Sequence, residues 1–143
     1  LYQITKISNQ TVQKFYVAAK ELFEHKNYVD AADAFYFLTV LASTSADAWL
    51  GLAHAEYARN NYQEALYAYN WAIERTPQEY APYMFCAACY LALDNDESAY
   101  AALDQAAELI QKQLGSCELS QQIEKHKQRL KRRKKTRSSY EHR

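Results

Sequence analysis

The stretch ADAWLGLAHAEYARNNYQEALYAYNWAIERTPQE, residues 46–79, decides how the whole chain is read. Slid by 34 positions in either direction, it meets its own likeness. Trp49 falls on Phe15 and Tyr83, Ala53 on Ala19 and Ala87, Asn61 on Asn27 and Asn95, and Ala65 on Ala31 and Ala99. Self-similarity at one fixed period is the signature of a repeat architecture, and it sets units at 12–45, 46–79 and 80–113. In the middle unit Trp49, Leu52, Ala53 and Glu56 keep helical spacing up to a polar turn at Asn60-Asn61. Ala65, Tyr69, Ala72 and Ile73 then form the stripe of a second helix. Pro77 ends it, because proline cannot continue a helix. Ala53 and Ala65 let the two helices approach closely, while Trp49, Leu52 and Tyr69 fill the space on either side.

Composition agrees with an all-α chain. Of 143 residues, 49% are apolar, enough for a core. Two glycines and two prolines leave little material for β-hairpins or Gly-rich phosphate loops. Charge is unevenly spread: Leu1 to Glu124 carries 7 basic and 16 acidic residues, and Lys125 to Arg143 carries 10 and 1. An acidic body thus bears a basic tail. The uncharged stretch from Ala81 to Leu93 falls short of the roughly 20 residues of a membrane span. Cys86, Cys89 and Cys117 suggest no disulfide framework and fit a reducing compartment. The Cys86-Ala-Ala-Cys89 pair lacks the two further ligands of a structural zinc site and falls where small core residues are wanted. No nucleophile–base–acid set and no nucleotide fingerprint can be assembled, so the chain reads as a non-enzyme without cofactor, metal or small-molecule substrate.

At these positions the chain resembles the tetratricopeptide repeat. Trp49, Leu52, Ala53, Tyr62, Ala65, Tyr69, Ala72 and Pro77 stand at that motif's signature places. Glu56 departs from it, where an aromatic is usual. So do Phe15 and Ser43 in the first unit, and Tyr83, Asp96 and Gln111 in the third. The resemblance implies three tandem repeats in a right-handed superhelix whose first helices line a concave surface. Client-groove positions on that surface are Tyr16, Lys20, Phe23, Leu50, His54, Tyr57, Met84, Phe85 and Leu91. So apolar a face marks a binding site. Repeats that hold a chaperone's C-terminal carboxylate do so with lysine, asparagine and arginine here, and that clamp is absent. The surface suits an extended segment with proline or leucine anchors, with tyrosine hydroxyls and His54 left to bond its backbone. Each buried anchor contributes about 1.5–3 kcal/mol, and two or three give affinities on the order of micromolar.

A narrower resemblance is to the class II chaperones of bacterial type III secretion systems. It rests on Ala31-Ala32 with Phe35 and Phe37-Leu38, on Trp49-Leu50-Gly51-Leu52-Ala53, on Tyr62-Gln63-Glu64-Ala65, and on aromatics at Tyr16 and Phe23. It implies a chaperone of the bacterial cytoplasm that holds hydrophobic translocator proteins by an extended N-terminal segment, soluble and unassembled before export. It also implies a homodimer through the N-terminal region. Two other readings compete: a general tetratricopeptide scaffold or co-chaperone adaptor, and a nucleic-acid-associated protein acting through the basic tail.

The flanks complete the expectation. The chain begins at Leu1 without Met, and residues 1–11 read as the remnant of an N-terminal helix. Gly115 can cap one helix and Ser116 can start another. Leu119, Ile123, His126 or Lys127, and Leu130 then mark a capping helix at 114–130. Residues 131–143 are expected to be a disordered basic tail. Its default is solvation; contact with nucleic acid or an anionic membrane is the sharper reading but is not assigned to it, and a third is docking against the acidic body or acidic client segments.

Overall fold

The period of 34 reappears in the backbone as three equivalent turns. Lys26, Asn60 and Asp94 adopt left-handed φ values of 61°, 62° and 61°. The N–H of each donates to the carbonyl three residues back, on Phe23, Tyr57 and Leu91. The asparagine that follows, Asn27, Asn61 or Asn95, donates to the carbonyl of Leu22, Glu56 or Tyr90. These bonds close off one helix in a Schellman-like manner, and the same asparagine is the N-cap of the next. The side chains of Asn27 and Asn95 accept from the N–H groups of Asp30 and Ser98. Asn61 uses its amide differently: Nδ2 donates to Glu56 Oε2 at 2.7 Å, and Arg59 Nη1 donates to Oε1 at 3.1 Å. Glu56, the middle unit's departure from the repeat pattern, is therefore a buried carboxylate that ties its turn together.

A computed structural model describes residues 7–142. The turns join α1 (Asn9–Glu24) to α2 (Tyr28–Leu41), α3 (Ala46–Ala58) to α4 (Tyr62–Arg75), and α5 (Ala81–Ala92) to α6 (Asp96–Leu114). A last helix, α7 (Glu118–Glu141), follows, and the described residues contain no strand. The paired alanines Ala19 and Ala31, Ala53 and Ala65, Ala87 and Ala99 are all buried, as close helix packing requires.

The chain forms two compact units that meet in sequence at Pro77 and Gln78. In the first, Phe35, Leu38, Leu52, Leu66 and Tyr69 are buried. In the second, Cys86, Cys89, Leu103 and Ile110 join Ile123 and Leu130 of α7 in the interior.

Three boundary expectations need correction. Of residues 1–11, 1–6 lie outside the described residues. Ser8 accepts from the Thr11 N–H and caps α1, so residues 9–11 are the first turn of the repeat and not a separate helix. Gly115 does end α6, at φ 68°, but Cys117 rather than Ser116 opens α7, with its N–H donating to Ser120 Oγ at 2.9 Å. Residues 131–141, expected to be disordered, continue α7 as helix. Arg133 Nε lies 3.3 Å from Asp96 Oδ2, and Arg137 pairs with Asp96 and Asp94, which offsets the repulsion that would fray so basic a run. Lysine and arginine are also good helix formers.

A left-handed backbone costs an L-residue about 1–2 kcal/mol that glycine escapes. Lys26→Gly is expected to raise the urea midpoint by the equivalent of roughly 0.5–1 kcal/mol with an unchanged slope. Ala65→Leu is expected to lower stability by about 1–3 kcal/mol, because its site has no spare volume.

Candidate functional site

Three helices of the first unit converge on one ring. Phe35 of α2 is buried beneath α1 and α3. On the α1 side the Tyr16 ring meets it edge to face, with centroids 5.9 Å apart. On the α3 side stands Gly51, where a β-carbon would run into the Phe35 ring. Glycine at 51 is what lets α3 lie against that ring.

Around this pivot the groove positions of the first unit sit on α1 and α3, each partly or fully exposed. Tyr16 is half-buried. Burial first, and then the nearby Asp47 carboxylate, hold its phenol above the usual tyrosine range. Tyr16 and Asp47 also line one small hollow with Val12, Gln13, Leu38 and Ser45. Lys20 Nζ stands 5.9 Å from the centre of the Tyr16 ring, a cation–π arrangement. Phe23 packs edge to face on Tyr28, and Tyr57 does the same on Tyr62. Leu50 is half-buried. His54 was expected to be left for a guest's backbone, but its Nδ1 is already 2.7 Å from the Tyr69 hydroxyl. Tyr69 is fully buried on α4, so this bond satisfies a core hydroxyl and fixes the imidazole. Burial holds the His54 pKa below its ordinary value. Met84, Phe85 and Leu91 lie on α5 in the second unit. Met84 is half-buried, and Phe85 and Leu91 are exposed.

The cysteine pair behaves as core. Burial pushes the Cys86 thiol up to about 12, with Cys89 adding to it, and burial pushes Cys89 up to about 11. Thiols held so far from the thiolate are poor nucleophiles and poor metal ligands. No cluster of metal-ligating side chains occurs among the described residues.

A second apolar surface escaped the sequence reading. A cavity of about 540 Å³ is lined by Tyr36 and Val40 of α2, Trp49 and Leu52 of α3, and Gln63, Glu64 and Tyr67 of α4. Tyr36, Val40 and Tyr67 remain 61–66% exposed. Beside it Trp49 stacks on Trp71 at 5.4 Å, and Arg75 lies over both rings at 5.4 and 5.0 Å. The signal was present in α2, YVDAADAFYFLTVL, whose only charges are Asp30 and Asp33. A helix apolar on every side has more than one face to cover.

No family model matches the chain, and no curated protein matches its sequence. Solved structures do. The type III secretion chaperone SycD of Yersinia enterocolitica, in complex with a peptide of the translocator YopD, superposes with a TM-score of 0.81 at 26% identity, covering 90% of this chain and 98% of that one. A type III secretion complex from Aeromonas hydrophila matches with a TM-score of 0.84 at 22% identity, over 92% and 88%. PcrH, a Pseudomonas aeruginosa protein, matches in complex with the chaperone binding region of PopD with a TM-score of 0.81 at 22% identity, over 90% and 96%.

Two outcomes follow from the geometry. A histidine whose folded pKa lies below its unfolded value of about 6.5 contributes stability that is full above that value and is lost as pH falls toward the folded pKa. Wild-type protein should therefore lose more stability between pH 7.5 and 5 than His54→Gln, read by urea unfolding at each pH. Gly51→Ala should cost about 1–3 kcal/mol in the same assay, because Phe35 must give way.

Proposed function

We propose that this chain, which has the fold of the type III secretion translocator chaperones, holds an extended segment of a hydrophobic translocator and keeps that client soluble and unassembled before export. The observation that carries the reading is the row Tyr16, Phe23, Leu50 and Tyr57, half-buried side chains on α1 and α3 of the first unit. Such side chains are held in place by their own packing and still have surface to give to a guest. Anchoring by rigid aromatics brings contact area at little entropic cost. The α5 positions Met84, Phe85 and Leu91 offer further anchors on the second unit. Lys20, poised over the Tyr16 ring, is the one cation of the set and suits a guest's carbonyl or carboxylate.

The likeness to SycD bound to a YopD peptide supports a translocator as the client class. A co-chaperone adaptor that grips a C-terminal carboxylate is disfavoured, because the lysine–asparagine–arginine clamp is missing from these helices. We read the chain as a binding protein and not a catalyst, acting in the bacterial cytoplasm. No helix among its described residues is long and apolar enough to cross a membrane. A homodimer through the N-terminal region belongs to the same proposal, in keeping with the alternative dimer recorded for SycD.

Leu50→Glu puts an unpaired charge where an apolar anchor must be desolvated. Leu50→Glu and Tyr57→Ala should each abolish co-purification with a co-expressed translocator while moving the helical melting midpoint only slightly. Retained co-purification, or loss of the fold in both variants, would contradict the assignment.

A further inference from the structure

The basic run at the C-terminus is an ordered helix with two different faces. One face of α7 buries Ile123, Lys127 and Leu130. On that side the helix already reads carboxylates. Lys127 Nζ donates to Asp104 Oδ1 at 2.7 Å, which holds the ammonium above the usual lysine range, and Arg133 bonds Asp96. Both carboxylates lie on the acidic helix α6. The opposite face carries Lys125, Arg129, Arg132 and Lys135, all exposed, and no described carboxylate pairs with any of them.

We propose that this outward row docks an acidic helical segment of a partner protein. The row is spaced i, i+4, i+7, i+10, so it runs for about 15 Å in steps of roughly 4.5–6 Å. Those steps match the pitch of about 5.4 Å at which a second helix presents one carboxylate per turn. The four cations repel one another along α7, and opposite charge on a neighbour relieves that repulsion. The inner face supplies the precedent, since it engages α6 through the same chemistry.

Other polyanions fit less well. Duplex DNA is stiff over about 150 base pairs and carries a phosphate every 3.4 Å or so on each strand. A duplex laid on this row would run past its N-terminal end toward Glu118 and Glu124 of the same helix, whereas a short acidic segment stays within the basic run. An anionic membrane would gain little insertion from α7, because Ile123 and Leu130 are already buried and Tyr140 is the one large apolar side chain the helix exposes. The inference is independent of the translocator reading.

The test uses the full chain and a fluorescein-labelled, alanine-rich helical peptide with glutamate at every fourth position, followed by anisotropy in about 0.1 M salt. Replacing the row (Lys125→Gln, Arg129→Gln, Arg132→Gln, Lys135→Gln) should weaken peptide binding by about tenfold or more. The exposed control pair Lys14→Gln and Lys26→Gln should change it by no more than about twofold. Far-UV melting should show the same fold in both variants. Unchanged binding by the row variant would overturn the proposal. So would displacement of the peptide by an equal charge concentration of short duplex DNA or of phosphatidylserine vesicles, which would assign the row to nucleic acid or to membrane.

Discussion

Phe35 lying against Gly51 is the contact on which the first unit depends. A ring from α2 fills the place where any other residue of α3 would put a β-carbon, and Tyr16 of α1 closes over the same ring. Three helices are thereby held close enough for α1 and α3 to present one surface. The alanine pairs do the same within each hairpin. Small residues in this protein set how near two helices come, and the larger ones then take the only volumes left. Burial of the remaining apolar side chains supplies most of the stability, so a methyl group added at Gly51 or Ala65 acts on the whole arrangement.

Much of this was legible in the sequence, because one ruler governs several kinds of residue at once. Ala53 and Ala65 were read as close-approach positions, with Ala19, Ala87, Ala31 and Ala99 as their repeat counterparts, and all six are buried. Asn27, Asn61 and Asn95 were seen to recur, and the backbone shows why: each closes one helix and opens the next. What was illegible depended on partners far along the chain. The role of Glu56 required knowing that Asn61 and Arg59 would turn toward it. The bond between His54 and Tyr69 joins positions fifteen residues apart on different helices. The order of residues 131–141 required Asp94 and Asp96 to face Arg133 and Arg137, and charge counting sees only the repulsion.

The proposed client face and the second cavity show the limit of pattern reading in a repeat. The resemblance to the tetratricopeptide repeat places the first helices on a binding surface, and the positions named on α1 and α3 are partly or fully exposed. The second apolar surface, around Tyr36, Trp49 and Tyr67, follows from no repeat rule. It arises because α2 is apolar all round and α4 contributes further aromatics. An apolar surface of that size also suits a polypeptide, so the proposed client face and this second surface are rival candidates for the same kind of guest.

Site-specific photocrosslinking separates them most directly. A benzophenone side chain placed at position 50 should crosslink to the extended N-terminal segment of a co-expressed translocator, while the same group at position 36 should give no crosslink to that segment. Crosslinking from position 36 with none from position 50 would contradict the account, because the client would then lie on the second apolar surface and not along the groove positions of α1 and α3.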